Sequence, residues 1–101
     1  MGIIGQHNVV VLEDVSGASE AFSMADYPFK TVQATGTGTV TVEGSPDGTN
    51  WAALDDANGT AISLDATADA AATIGQNTLY MRVNVATGTA TVTIVGSGRG
   101  Q

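Results

Sequence analysis

The sequence predicts an all-β fold, an antiparallel sandwich built as a single domain. Three observations predict it. Several segments alternate apolar and polar residues with a period of two and are rich in Val, Ile and Thr. Gly, Pro, Asp and Asn cluster between those segments at turn spacing. No stretch carries an apolar stripe at helical spacing. The chain has 101 residues, the size of one domain.

The elements follow in chain order. Residues 1–6 hold Gly2 and Gly5 and show no pattern. A strand is predicted from His7 to Leu12. Its successive apolar residues Val9, Val10, Val11 and Leu12 predict burial on both faces, either centrally in the sheet or beneath a neighbouring subunit. Residues 1–20 are read as an N-terminal arm and first strand, 21–95 as the sandwich core, and 96–101 (GSGRGQ) as a flexible tail. Tyr27, Pro28 and Phe29 form an extended segment that either anchors a partner or caps the core. A strand at 31–34 is separated by GTG (36–38) from the clearest strand, GTVTVEG (38–44). There Val40 and Val42 point one way and Thr39, Thr41 and Glu43 the other. SPDGTN (45–50) reverses the chain before Trp51, which is predicted as a core plug between sheets. DDANG (55–59) turns the chain before Ile62 and Leu64. Residues 63–74 are Ala-rich without a stripe and predict an irregular connection plus a strand. In 78–85, Leu79, Met81, Val83 and Val85 share one face and Tyr80, Arg82 and Asn84 the other, which makes Tyr80 a candidate for exposed contact. ATG (86–88) predicts a tight hairpin. Residues 89–95 close the chain, with Ala90, Val92 and Ile94 opposite Thr91 and Thr93. The pattern gives about seven or eight short strands, in a jelly-roll or immunoglobulin-like arrangement.

Composition narrows the function. The formal net charge is −7, from ten acidic and three basic residues. The cations Lys30, Arg82 and Arg99 are too few to neutralise a run of phosphates, so no nucleic acid is expected, and no anionic membrane. Charged residues make up 13% of the chain, about half the usual share. A polar surface built from Thr, Ser, Gly, Asn and Gln tolerates close packing, because few charges need desolvating. It fits either self-assembly or a neutral surface with no partner. No cysteine is present, so neither disulfides nor thiol chemistry enters. The first residues lack a basic n-region and a cleavage pattern, and the longest apolar run is too short to cross a bilayer.

No enzyme is expected. His7 is the only histidine; a Ser/His/Asp site would need it as the base, and no nucleophile elbow accompanies it, so it reads as a surface or interface residue. Asp47, Asp55, Asp56 and Asn58 offer oxygen ligands, but the spacing of a calcium loop is missing, and these residues are turn formers in their own right. Asp55 and Asp56 are adjacent and face opposite sides, unsuited to glycoside hydrolysis. The glycines precede no helix that would receive a phosphate. No cofactor is expected.

The segment VEGSPDGTNWAAL (42–54) resembles one that recurs in structural proteins of tailed bacteriophages, where a strand runs into Gly-Ser-x-Asp-Gly-x-x-Trp. LYMRVNV (79–85), followed by a Thr-Gly turn and TVTIV, is similar to that family's closing pair of strands. The resemblance spans about residues 31–95; discoidin-like and carbohydrate-binding sandwiches share a similar strand–turn–Trp pattern. It implies a virion component made in the host cytoplasm, most concretely a head decoration (cement) protein on the capsid exterior. Its partner would be the major capsid protein or another virion protein, and it would itself be a homo-oligomer, a trimer by likeness. Partner-binding candidates are Val9, Val10, Val11, Leu12, Tyr27, Phe29 and Tyr80. Deleting residues 1–12 is expected to remove capsid binding and leave the sandwich folded. The alternatives are a neck, tail or fibre module of the virion, and a glycan-binding module that would use Trp51 and Tyr80.

Overall fold

A computed structural model describes residues 7–24, 27 and 29–97. The expectations for residues 1–6, for the His7 side chain, for Pro28 and for residues 98–101 of the tail lie outside the described residues.

Seven strands form one antiparallel sheet: β1 (His7–Ala18), β2 (Phe29–Gly36), β3 (Thr39–Ser45), β4 (Ala52–Ala53), β5 (Ser63–Asp65), β6 (Ala71–Ile74) and β7 (Tyr80–Ser97). One 3-10 turn, Ala66–Ala68, lies between β5 and β6, so residues 63–74 hold two short strands about a turn rather than an irregular connection and one strand. No α-helix occurs among the described residues.

β7 is the spine. Along one side it pairs with β1, from His7 opposite Ser97 to Ala18 opposite Asn84. Along the other it pairs first with β2, from Phe29 opposite Ser97 to Gly36 opposite Ala90, and then with β3, from Thr39 opposite Ala86 to Ser45 opposite Tyr80. β2 and β3 therefore run as one path along one long strand. The hairpin expected at 86–88 is absent, and β7 passes straight through it. A bulge stands there instead: residues 37 and 38 face residues 87, 88 and 89, and Thr87 takes φ 58. A bulge breaks the period-two phase just as a turn does. Met81, Val83 and Val85 are buried before it, Ala90, Val92 and Ile94 after it, so an odd-numbered core row becomes an even-numbered one.

The kink lets the sheet curl onto itself. One half holds β2, β6 and the end of β7; the other holds β3, β4, β5 and its beginning. Val32, Ala34, Val92 and Ile94 from the first half and Val40, Val42, Met81 and Val83 from the second belong to a single buried cluster. The curl is closed where Asp56 bridges Ile74 and the Gly75 amide donates to the Asp55 carbonyl at 2.9 Å. The result is a small sandwich of barrel-like form.

Other expectations change as well. β1 is not buried on both faces: Val9 and Val11 are each 51% exposed, whereas Val10 and Leu12 pack on the core. An edge strand shows one face to solvent, and an unbroken apolar run does not reveal that. Nor is β1 a detachable arm. Deleting residues 1–12 would remove the ladder from His7 to Leu12 and the core contacts of Val10 and Leu12, so the truncation is expected to cost stability as well as binding. Trp51 is half-buried rather than a core plug; Met24, Met81 and Ile94 fill the interior. At the other end, β7 takes in Gly96 and Ser97. Gly96 is buried, and a Cβ there would stand 2.6 Å from Met24 Cε.

Candidate functional site

Period two puts the odd-numbered residues of β2, of the end of β7 and of the start of β1 on the outer face of the first half. The pairing registers align them in rows across four strands. Val9, Val95, Thr31 and Thr73 form one row; Val11, Thr93, Gln33 and Ala71 form the next. Phe29 pairs with Ser97 and so stands diagonal to Val95. Phe29 is 61% exposed and Val95 39%. With Val9 and Val11 they make an apolar patch bordered by Thr and Gln, and neither row contains a charge. Among the described residues the carboxylates lie elsewhere: Glu13 and Asp14 where β1 bulges and Glu20 just beyond it, beside an open groove of about 410 Å³, Glu43 on β3, Asp65 at the end of β5, and Asp47, Asp55, Asp56 and Asp69 in the loops.

The seven candidate residues do not converge. Val9, Val11 and Phe29 share this outer face. Val10 and Leu12 point inward. Tyr27 is half-buried at the end of the core, where its amide donates to the Met24 carbonyl at 3.0 Å and its carbonyl accepts from Lys30 Nζ at 2.7 Å. Tyr80 lies on the other half, half-buried against the 46–50 loop; a Cβ at Gly48 would meet its ring at 3.5 Å. Val95 was not singled out from the sequence, yet it is the centre of the patch. The signal was present in the alternation of Thr91, Thr93 and Val95.

The SPDGTN loop serves itself. The Asp47 carboxylate accepts from the Asn50 amide at 2.9 Å, the Thr49 amide at 2.8 Å, the Ser45 hydroxyl at 2.8 Å and Asn50 Nδ2 at 2.9 Å. The Asn50 and Thr49 amides hold its carboxyl well below the usual carboxylate range, because each bond favours the charged form. The loop delivers Trp51 beneath Arg82, whose guanidinium lies 4.4 Å from the ring centroid and whose Nε donates to Glu43 Oε1 at 2.7 Å. One face of the indole is thus already taken by a cation. Asp56 likewise accepts from the Asn58 and Thr60 amides at 2.8 and 3.0 Å. Asp47 and Asp56 thus hold their own turns. A depressed carboxyl keeps its bonds above its unfolded value of 3.8 and loses them only as pH falls through the lowered folded value. The Thr49 and Asn50 amides should therefore stay protected from exchange at about pH 3, and Asp47→Ala should expose both. Loss of protection at that pH in the unaltered protein would refute the assignment.

Lys30 was missed as a core residue. It is 1% exposed, and its Nζ donates to the Tyr27 carbonyl and to Asn77 Oδ1, both at 2.7 Å. Burial lowers its pKa. The signal was its parity: Lys30, Val32 and Ala34 occupy one inward row of β2.

No protein-family model matches the chain, and no curated protein matches it in sequence. Among solved structures, the SPBc2 prophage-derived protein YomS superposes with a TM-score of 0.73 at 15% identity, covering 97% of this chain and 98% of that one. The two share a fold. Protein NMB1881 from Neisseria meningitidis (TM-score 0.45, 19% identity, 96% of this chain and 80% of that one) superposes too loosely to bear on the fold or the function. So does a structure described as Bacillus endospore appendages forming a novel family of disulfide-linked pili (0.46, 17%, 94% and 88%).

Proposed function

We propose that this chain is a structural protein of a phage-type virion, a decoration (cement) protein bound to the exterior of the assembled head, and that it acts by binding rather than by catalysis. The observation that carries this reading is the uncharged apolar face of Val9, Val11, Phe29 and Val95 in a chain of net charge −7. A contiguous exposed apolar patch marks an interaction surface, and docking there desolvates no carboxylate. The prophage origin of YomS, alike over nearly the whole of both chains, and the resemblance of residues 31–95 to virion proteins support the setting. The partner is the major capsid protein or another virion protein. Neither nucleic acid nor membrane fits the charge. A protein that binds only the assembled shell stabilises it by mass action.

A neck, tail or fibre position is the runner-up and differs in copy number. The glycan-binding alternative loses ground because Arg82 occupies one face of the Trp51 ring. The test is quantitative mass spectrometry of density-banded particles from the phage or induced prophage that encodes the chain, scaled to the major capsid protein. Hundreds of copies per particle are expected. About a dozen would move the protein to the neck or tail, where symmetry allows few copies, and absence from the particles would sink the virion reading.

A further inference from the structure

We infer that the first half of β1 is an assembly edge, at which two copies of this chain pair β1 to β1, antiparallel, about a two-fold axis. The inference names the first partner in the assembly reading above and rests on that reading.

The edge itself comes first. Residues 7–12 pair with β7 on one side, and no other described strand lies on the far side. In an antiparallel ladder alternate residues direct both N–H and C=O outward, so this edge presents a row of backbone groups that only another strand satisfies fully. The sheet's other margins are short. β4 has two residues and β5 three, and β6 abuts the 55–56 segment that closes the curl.

The edge is also undefended, in contrast to its continuation. From His7 to Leu12 the register with β7 is unbroken, and the sequence HNVVVL holds no Pro, Lys, Asp or Glu. From residue 13 onward the same strand carries Glu13 and Asp14, two register shifts, and positive φ at Asp14 (53°) and Gly17 (77°). Bulges and charges are the devices that stop edge-to-edge pairing. Here they guard the second half of β1 and are missing from the first.

Symmetry then selects the occupant, and charge selects the place. Lys30 is buried and Arg82 is engaged by Glu43 and Trp51, so among the described residues no cation offsets the carboxylates of an approaching copy. A second copy carries the same −7 and approaches only where neither chain presents a carboxylate. Residues 7–12 meet that condition for both at once. Antiparallel pairing about a two-fold is self-complementary and closes at two copies. It places Val9 and Val11 of each copy beside those of the other and joins the two apolar patches into one continuous face.

The test uses the full chain alone, by light scattering on a size-exclusion column together with amide exchange at two protein concentrations. The expected mass is two chains, with the amides of 8–12 that β7 leaves free becoming protected as concentration rises. Val11→Lys should reduce the mass to one chain, since the two-fold brings like charges together; Val9→Lys is the second variant should the first unfold. Gln33→Lys, on the same outer face but two strands from the edge, should remain a dimer. A monomer at every concentration, a trimer, or a dimer that survives both β1 variants would overturn the inference. So would dissociation by Gln33→Lys as well, which would indicate stacking of faces. Because no particle is involved, a monomer found abundantly on virions leaves the assembly reading standing without this edge, and a dimer absent from virions does the reverse.

Discussion

Gly38→Ala should lower the unfolding free energy by roughly 2–4 kcal/mol, a large share of the roughly 5–15 kcal/mol a small domain holds. Two costs combine. Gly38 takes φ +92, a region that L side chains rarely adopt. Its missing Cβ would also stand 2.7 Å from the Ala86 carbonyl oxygen and 3.2 Å from Gly88 Cα. Opposite it, a Cβ on Gly88 would meet the Gly38 nitrogen and the Thr37 carbonyl carbon, each at 2.7 Å. Val85 Cγ1 (3.1 Å from the Gly38 position) and Thr37 Oγ1 (2.7 Å from the Gly88 position) also crowd the site, but the other obstructing atoms are backbone and have no rotamer to change. Both glycines sit where the β2–β3 path and β7 bend together, so the clash falls on the kink that curls the sheet. Gly59→Ala is the internal standard. Gly59 also has positive φ, at +83, but nothing lies within 4 Å of its would-be Cβ, so only the conformational cost of about 1 kcal/mol applies. Urea unfolding of the two variants separates the terms. Equal losses would mean that the close approach at the kink contributes nothing.

The same kink marks what the sequence could and could not reveal. The strands at 38–44, 78–85 and 89–95 are legible because β-branched residues alternate with polar ones, and the buried rows Val40–Val42, Met81–Val83–Val85 and Ala90–Val92–Ile94 follow that alternation. What alternation does not encode is how a phase break is resolved. Val85 and Ala90 are both buried, which suits a hairpin between them as well as a bulge within one strand. The choice depends on whether a continuous partner lies alongside, and β2–β3 is that partner. Long-range pairing decided it, not local turn chemistry. Trp51 shows a different limit. An aromatic residue after a turn fits a core plug, but Arg82, 31 positions on, offers its ring a cation on the outer face. The outer patch was half visible: Val9, Val11 and Phe29 stood out as apolar residues, while their union with Val95 depends on the register of β1 and β2 against β7.

Lys30 supplies the second large effect, and its size depends on what replaces it. Lys30→Ala empties a space in the core and strips the Tyr27 carbonyl and Asn77 Oδ1 of a shared donor; the expected loss is about 2–4 kcal/mol. Lys30→Met removes the same donor but fills most of that volume and ends the burden of desolvating an ammonium, so near pH 7 it should be clearly more stable than Lys30→Ala. The two variants part further with pH. Burial lowers the Lys30 pKa from 10.5, so the folded chain gives up this proton at lower pH than the unfolded chain. Between the lowered folded value and 10.5 the unfolded state binds more protons, and stability rises with pH across that window; above it the gain is complete. Methionine has no such gain. Measured by urea unfolding from about pH 7 to about pH 11, the stability of the unaltered protein relative to Lys30→Met should therefore climb, while that of Lys30→Ala relative to Lys30→Met stays level. A flat difference for the unaltered protein would mean that water reaches the amine and that β2 holds it at the rim of the core rather than within it.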